Sequence, residues 1–305
     1  MKKISILIIT YNQEKFIRRT LDSILIQKEW GLHHIIISDD CSKDSTWDIL
    51  LEYQKQYPDI IQPYRNETNL GIYGNSEVLH SKRGDSDLYL FLDGDDAICP
   101  GFLETTQSYI ENNKINTESK IGLFYDWKVI DPSGEESVYK MSVVKYSHQH
   151  PFCLSIRGRV SYRGVVFSGA VLNEYKPVIL NKGLNLAEYM YDAQGIRLLD
   201  YYYYVPFVGT IYYTGIGIST TLSFDTPYYR EEDIIKWDYF IENYSRTKKD
   251  RFWMLACRER TICKMKFSFA NYFKLLYYYI RGVAWYDLSP KRVLKFLSLR
   301  RYSLY

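Results

Sequence analysis

Three of the first four strand-like runs in this 305-residue chain end in a cluster of polar residues, and this pattern limits the possible folds more than any other feature. The runs cover residues 4–9, 34–38, 60–65 and 88–92, and segments with helical spacing of apolar residues separate most of them. Strands that alternate with helices predict right-handed crossovers and a mainly parallel sheet. Ligands of such sheets bind beyond the carboxyl ends of the strands, so the polar clusters predict one binding site.

The rest of the chain continues the pattern less regularly. Residues 122–129, 165–171 and 201–213 are strand-like, residues 186–199 have helical spacing, and the chain is helical beyond residue 228. A hydrophobic content of 46% is enough to fill the core of a domain of this length. The pattern predicts an α/β domain over residues 1–225 and a helical region over residues 226–305.

The fourth strand-like run ends in the acidic cluster Asp93-Gly94-Asp95-Asp96. Three carboxylates within four residues repel one another unless water or a cation surrounds them. Oxygen ligands of this kind suit Mg²⁺ or Mn²⁺, which take one or two carboxylates and complete their shell with water and phosphate oxygens. Gly94 would let a ligand approach the backbone closely. A solvated acidic turn is the alternative explanation of the same residues.

Four segments together resemble the family-2 glycosyltransferases of the GT-A fold. They are Ile6-Leu7-Ile8-Ile9-Thr10-Tyr11-Asn12, Ile37-Ser38-Asp39-Asp40-Cys41-Ser42, Asn69-Leu70-Gly71 and Phe91-Leu92-Asp93-Gly94-Asp95-Asp96. All four occur in the order and at the spacing of that family. The resemblance is strong to about residue 105, looser to about residue 221, and absent after that. It implies a Rossmann-like central sheet flanked by helices, with a nucleotide-sugar half at residues 1–130 and an acceptor half at residues 131–225.

The resemblance also implies roles for residues at the strand ends. Thr10, Tyr11 and Asn12 would contact the nucleotide, with Tyr11 stacked on the base. Asp39 would accept a hydrogen bond from a base N–H, and Asp40 would support that loop.

The same resemblance places the diphosphate at the acidic cluster. Asp93 would lie near the ribose and the metal, and Asp95 would coordinate the Mn²⁺ or Mg²⁺ that bridges the diphosphate. Gly71 and Gly94 are further candidates for the donor-binding surface.

Glycosyl transfer with inversion needs a carboxylate that takes the proton of the acceptor hydroxyl. Asp192 resembles the acidic residue that fills this role in the family. Many relatives carry Glu-Asp as a pair there, whereas this chain has Tyr191 before Asp192. Glu188 lies one helical turn earlier and shares a face with Asp192 if the segment is helical. Asp192 is the candidate base, with Glu188 as the alternative.

The predicted activity is metal-dependent transfer of a hexose or N-acetylhexosamine from a nucleotide diphosphate, expected to be UDP-linked. The acceptor would be a glycan or a lipid-linked molecule in surface polysaccharide synthesis. A nucleotidyltransferase is one alternative, but it needs a glycine-rich basic loop after the first strand, and residues 10–14 contain neither glycine nor a basic residue. A non-catalytic binding module with the GT-A fold is the other alternative, because the Glu-Asp pair is broken.

Positive charge is concentrated near the end of the sequence. Residues 246–305 carry 15 Lys and Arg against 3 Asp and Glu, a net charge of +12 in a chain of net charge +3. Aromatic and aliphatic residues alternate with these basic residues, as is typical of helices at anionic membrane surfaces. We expect contact with an anionic membrane surface and no nucleic-acid partner. A helix that packs within the protein or between subunits is the alternative.

The five cysteines lack the spacing of a zinc site or a disulfide framework. The sequence begins directly with a strand-like run and contains no stretch of 18 uncharged apolar residues. These features predict a cytoplasmic protein, and the basic region leaves open a peripheral position on the inner face of the cell membrane.

Overall fold

The computed structural model describes residues 1–141, 150–156, 164–176, 188–216, 227–283 and 288–298. The chain divides into two compact units. The first unit, called the sheet unit, comprises Met1–Pro151 and Arg159–Leu222. The second, called the helical unit, comprises Phe152–Gly158 and Ser223–Tyr305.

Strands and helices alternate through the sheet unit. The described strands are β1 (Ile4–Thr10), β2 (Leu32–Asp39), β3 (Ile61–Arg65), β4 (Leu88–Asp93), β5 (Ala97–Ile98), β6 (Ile121–Ile130), β7 (Glu136–Tyr139), β8 (Val165–Ser168) and β9 (Tyr201–Tyr213). The described helices are α1 (Ile17–Leu25), α2 (Thr46–Gln56), α3 (Gly71–Lys82), α4 (Phe102–Asn112), α5 (Pro151–Ser155), α6 (Gly169–Asn173) and α7 (Glu188–Leu198). Helix α5 begins at Pro151, which belongs to the sheet unit, and its other residues belong to the helical unit.

All the described strands belong to one sheet, in the order β3-β2-β1-β4-β8-β6-β9-β5, with β7 paired to β6. The four strands from β3 to β4 are parallel to one another. Strand β8 is antiparallel to both β4 and β6, and β9 is parallel to β6. The predicted α/β class with a Rossmann-like central sheet is confirmed. The first four strands are all parallel to one another, as predicted.

The core explains why β1 lies at the centre of the parallel strands. Ile6, Leu7 and Ile8 are all fully buried although successive side chains of a strand point to opposite faces. Both faces of the sheet are therefore covered here, as expected where crossover helices pack on each side. Leu21 and Ile24 of α1 are fully buried in the cluster that holds Ile6 and Ile8.

The strand predicted at residues 165–171 ends earlier, at Ser168, and α6 begins at Gly169. The hydroxyl of Ser168 accepts a hydrogen bond from Ile121 N at 3.1 Å, which fixes the end of the strand against β6. A Cβ atom at Gly169 would lie 2.6 Å from the backbone oxygen of Ser86. The chain thus turns out of the sheet at a position with no room for a side chain, a constraint that apolar periodicity does not reveal.

The described helices of the helical unit are α8 (Pro227–Asn243), α9 (Lys248–Met265), α10 (Phe269–Gly282) and α11 (Pro290–Leu297). The helical character predicted for this region is confirmed. Helix α11 begins after Ser289, whose hydroxyl accepts from Arg292 N, and Pro290 occupies the first turn. None of the described helices is both long enough and apolar enough to cross a membrane.

Aromatic residues join the helices of this unit. The indole N–H of Trp253 in α9 donates to the carbonyl of Ile156 at 3.0 Å. The Phe296 ring of α11 stacks on Tyr279 of α10 with ring centroids 4.8 Å apart and also contacts Trp253. At the end of α10, a Cβ atom on Gly282 would lie 2.3 Å from Trp253 N, so the two helices are in backbone contact there.

Replacement of Gly282 by alanine therefore tests the packing of α10 on α9. We expect the Gly282→Ala protein to lose about 1–3 kcal/mol of unfolding free energy, because the added methyl group meets backbone atoms that cannot rotate away. Urea denaturation measures the change. Ala270→Leu, at an exposed position of the same helix, is the control and should change the unfolding free energy by no more than about 0.5 kcal/mol. Equal stability of the Gly282→Ala protein and the parent would contradict the packing.

Candidate functional site

The strand register brings the predicted acidic residues to one edge of the sheet. Thr10 at the end of β1 pairs with Asp39 of β2, and Ile9 pairs with Asp93 of β4. Neighbouring strands lie about 4.8 Å apart, so the backbones of Asp39 and Asp93 are separated by about 10 Å across β1. The carboxyl ends of these three strands therefore present their polar residues together.

Asp39 is fully buried and its carboxylate is hydrogen-bonded within its own loop. One oxygen accepts from the Ser42 hydroxyl, and the other accepts from Ser42 N at 3.1 Å and lies 3.4 Å from Arg65 Nε. Burial raises the pKa of the Asp39 carboxyl, although the Ser42 hydrogen bonds and the Arg65 charge act in the opposite direction.

Asp40 fixes the segment that precedes α3. Its Oδ1 accepts from Leu70 N at 2.8 Å and from Asn66 Nδ2 at 2.9 Å, and its Oδ2 accepts from Gly71 N at 2.9 Å. Gly71 has a φ of 74°, which a residue with a side chain adopts only with strain. Asp40 thereby places a negative charge at the first residue of α3, where helices favour it.

The loop after β1 is fastened to the loop after β2. Asn12, with a φ of 51°, donates its backbone N–H to the Ser42 hydroxyl at 2.9 Å, and its side-chain oxygen accepts from Lys43 N at 2.7 Å. The buried Thr10 hydroxyl donates to the Gln13 side chain at 2.7 Å. Tyr11, which is partly exposed, lies between these two anchored residues. The backbone of Tyr11 is therefore held in place from both sides.

Residues 93–96 form a tight turn at the end of β4. Asp96 N donates to Asp93 O at 3.0 Å, and Gly94 N donates to Ile9 O at 3.0 Å. A Cβ atom on Gly94 would lie 2.3 Å from Gln13 Oε1, so the turn packs directly on the loop after β1. Asp95 is 8% exposed. The carboxylates of Asp93 and Asp95 thus belong to one four-residue turn whose backbone is held from two sides.

Three residues outside the predicted set also hold this turn. Arg19 in α1 donates from its guanidinium to Asp95 O at 2.6 Å, and that guanidinium lies 3.4 Å from the ring centroid of Tyr213. Tyr213 N, at the end of β9, donates to Asp96 Oδ1 at 3.3 Å. Thr20, which the helical pattern assigns to the apolar face, uses its hydroxyl to donate to Asp96 O at 2.6 Å. No sequence signal separates Arg19 from any other basic residue of an amphipathic helix.

The donor chemistry of Asp93 and Asp95 fits a hard divalent cation, since both supply carboxylate oxygens. Within the described part of the chain, no group of three or more His, Cys, Asp or Glu side chains is arranged to hold a metal ion.

The candidate bases Glu188 and Asp192 both lie in α7, which begins at Glu188, so they are one helical turn apart as predicted. Their side chains lie outside the described residues. The second half of α7 is anchored, because the Gln194 amide bonds both the N–H and the C=O of Lys176, at 2.7 and 3.1 Å. Residues 217–226 also lie outside the described part of the chain.

Comparison with known proteins finds related sequences and folds. The family model described as glycosyl transferase family 2 matches residues 5–127. The resemblance to the family-2 glycosyltransferases is confirmed over these residues. An uncharacterized protein of Mycobacterium tuberculosis is 42% identical over 94 residues, which are 30% of this chain and 26% of that protein. The chain therefore matches about a quarter of the length of this relative.

Two further relatives extend the match. An uncharacterized glycosyltransferase of Methanocaldococcus jannaschii is 24% identical over 299 residues, 96% of this chain and 92% of that protein. The poly(ribitol-phosphate) beta-N-acetylglucosaminyltransferase TarS of Staphylococcus aureus is 30% identical over 114 residues, 37% of this chain and 20% of that protein.

Solved structures share the fold. The crystal structure of S. aureus TarS 1-349 in complex with UDP-GlcNAc matches with a TM-score of 0.61 at 16% identity, covering 92% of this chain and 88% of that chain. GalNAc-T7 with UDP, GalNAc and Mn²⁺ matches with a TM-score of 0.56 at 12% identity, covering 92% of this chain and 56% of that chain. The GT-A fold implied by the four sequence segments is confirmed.

The contact of Arg19 with Asp95 predicts an effect on ligand binding at the turn. We expect Arg19→Ala to weaken Mn²⁺-dependent UDP binding about tenfold, because the Asp95 carbonyl loses a charge-assisted hydrogen bond and the turn loses its brace. Arg19→Lys should restore only part of the affinity, since an ammonium cannot stack on Tyr213 as a planar guanidinium does. Isothermal titration calorimetry gives these affinities.

The neighbouring residue supplies the matched control. Arg18→Ala removes a guanidinium from the same helix, but Arg18 is half-exposed and pairs with Glu52 on the surface. Its removal should leave UDP affinity unchanged. Tyr213→Phe, which retains the ring, should also bind like the parent. Equal losses in the Arg18→Ala and Arg19→Ala proteins would show that the Asp95 contact is irrelevant to binding.

Proposed function

We propose that the chain transfers a sugar, with inversion, from a nucleoside diphosphate to a glycan or lipid-linked acceptor in surface polysaccharide synthesis. The observation that carries the proposal is the register that aligns Thr10, Asp39 and Asp93 at one edge of the parallel strands. The match of residues 5–127 to the glycosyl transferase family 2 model supports the reaction class. The TarS structure with UDP-GlcNAc supports a UDP-linked hexose or N-acetylhexosamine as donor.

In this proposal the nucleotide lies against the loop after β1. Tyr11 stacks on the base, and Thr10 and Asn12 line the same loop. Asp39 accepts the base N–H, and Asp40 holds Gly71 at the start of α3, as its hydrogen bonds support. The interlock of the loops after β1 and β2 means that the nucleotide meets a surface already formed, which lowers the entropy lost on binding.

The diphosphate would lie at the turn of residues 93–96, with Asp93 and Gly94 toward the donor. Asp95 and Asp93 would hold Mn²⁺ or Mg²⁺ there, and GalNAc-T7 with Mn²⁺ is a precedent for a divalent ion in this fold. Such an ion supplies positive charge that stabilises the departing diphosphate. Arg19 would keep the turn in the conformation that presents the two carboxylates.

Asp192 would act as the base. The acceptor hydroxyl oxygen forms a bond to the anomeric carbon while the bond from that carbon to the diphosphate oxygen breaks. The hydroxyl proton passes to the Asp192 carboxylate, and the nucleoside diphosphate leaves with the bonding electron pair. Glu188, one turn earlier on α7, would contact the acceptor or replace Asp192 as the base. The anchoring of α7 by Gln194 supports a fixed position for this helix.

The proposal divides the sheet unit between its two substrates. Residues 1–130 would bind the nucleotide sugar, residues 131–225 the acceptor, and residues 226–305 would form the separate basic helical region. A peripheral position on the inner face of the cell membrane would suit a lipid-linked acceptor.

The role of Asp95 is tested by titrating UDP with and without Mn²⁺. The parent should bind the two ligands cooperatively, because a cation held by one or two carboxylates completes its shell with phosphate oxygens and water. Asp95→Asn should lower Mn²⁺-dependent UDP affinity at least about tenfold and leave the weaker metal-free affinity unchanged. Glu118→Gln, a substitution in the loop before β6, is the control for loss of one carboxylate. Unchanged Mn²⁺ dependence in Asp95→Asn would remove the metal role.

The role of Asp192 is tested by separating donor binding from turnover. Asp192→Asn should bind UDP normally but lower kcat by about 10²–10⁴, as expected when a general base is lost. Glu188→Gln in the same assay identifies which of the two carboxylates is the base. A panel of UDP-sugars and release of UDP provide the measurement. Normal turnover in Asp192→Asn rules it out as the base, and UDP binding without turnover by the parent would favour the binding module.

A further inference from the structure

Helix α10 of the helical unit presents four large apolar or aromatic side chains to the outside. Phe269 is 74% exposed, Phe273 67%, Tyr277 51% and Ile280 72%. Their spacing of four, four and three residues places them on one side of the helix. We call these four residues the apolar stripe. Large apolar side chains are seldom exposed in a continuous row unless the surface contacts something else.

The opposite side of α10 accounts for its position in the unit. Leu275 and Tyr279 are buried, and Gly282 is in backbone contact with Trp253 of α9. Since about 3.6 residues make a turn, Leu275 and Tyr279 face away from the apolar stripe. Helix α10 therefore packs on the rest of the unit through one face, and this packing directs the apolar stripe on the opposite face outward.

The residues beside the stripe are basic. Lys274 and Arg281 are exposed on the same helix, and the Arg281 guanidinium lies 5.2 Å from the ring centroid of Tyr277. Neither α10 nor α11 contains an acidic residue. From residue 264 to residue 298 the sequence has seven Lys and Arg and one Asp. The stripe thus has positive charge at its margin and no negative charge on its own helix.

A further aromatic residue extends this surface at the start of α10. Phe267 is 55% exposed and its ring contacts Phe269 edge-on at 5.5 Å between centroids. Lys266 beside it is exposed. Aromatic rings bordered by ammonium and guanidinium groups suit the boundary between water and lipid, where the ring enters the acyl layer and the charge meets the headgroups.

We propose that the apolar stripe of α10 is a docking surface for an anionic lipid bilayer. A helix of 14 residues is too short to cross the acyl region but can lie along its surface with the stripe inserted. Lys274 and Arg281 then meet the lipid phosphates. This surface is independent of the donor site and needs no transfer activity.

The charge pattern selects the bilayer over two other occupants. A second copy of the chain in a two-fold interface would bring the basic margins of both stripes together, at a cost in repulsion. Nucleic acid is bound chiefly by contacts of basic groups with phosphates. Here the centre of the surface is apolar and the basic groups lie at its edge. A bilayer offers acyl chains to the centre and negative charge to the margin.

Sedimentation of the full chain with vesicles tests the proposal. One vesicle set is an equimolar mixture of phosphatidylcholine and phosphatidylglycerol, and the other is phosphatidylcholine alone. The parent should sediment with the anionic set at low salt, and binding should fall as salt is raised. Replacement of Phe269, Phe273 and Ile280 by serine should lower the partition coefficient at least about tenfold. Lys274→Glu with Arg281→Glu should cause a similar loss on the anionic set alone.

The matched control carries serine at Ile26 and Val138, which are exposed apolar residues of the sheet unit. It should sediment like the parent. Far-UV circular dichroism and the thermal midpoint establish that each variant is folded, and neither measurement depends on a nucleotide. Thus, failure of donor binding would leave this test intact.

Four results would overturn the proposal. The parent could stay in the supernatant with anionic vesicles at low salt, or the serine variant could sediment as the parent does. Alternatively, light scattering could find a dimer in the parent and a monomer in the serine variant without vesicle binding, which would assign the stripe to a second copy. A parent retained by DNA or RNA but not by vesicles would likewise reject the bilayer.

Discussion

Backbone hydrogen bonds that continue beyond the ends of the parallel strands hold the candidate site together. Asp40 N donates to Thr10 O at 2.9 Å, and Gly94 N donates to Ile9 O at 3.0 Å. These bonds extend the ladder by one step on each side of β1, so the loops leave the sheet in register. The buried Asp39 carboxylate, which is costly to desolvate, is tolerated because Ser42 and Arg65 compensate it within this frame.

Much of the frame could be predicted from the sequence. A strand that is buried on both faces consists of consecutive apolar residues, and such runs predict β1, β2 and β4. Once the strands are parallel, their carboxyl ends must share an edge, so the proximity of Asp39 to Asp93 follows from topology. The end of β8 could not be predicted in this way, because it depends on the space around Gly169.

The supporting contacts of the site could not be predicted for a related reason. Arg19 and Tyr213 are far apart in the sequence, and their contact exists only because β9 reaches the turn after β4 through its pairing with β5. Thr20 has the spacing of a core residue but uses its hydroxyl. The function of a side chain can be inferred from its residue type. A hydrogen bond to a backbone carbonyl cannot, because every residue carries that group. The roles of Asp192 and Glu188 stay predictions.

Gly94 links two parts of the site that are usually considered separately. The side chains of Gln13 and Thr10 occupy the space where a Cβ atom of residue 94 would lie. The acidic turn and the loop after β1 are therefore packed directly against each other. A change in either loop alone would create a collision or a void at their contact. Attempts to alter ligand binding at this site by grafting a loop would therefore have to transplant both segments, and evolution of one would be expected to proceed in step with the other.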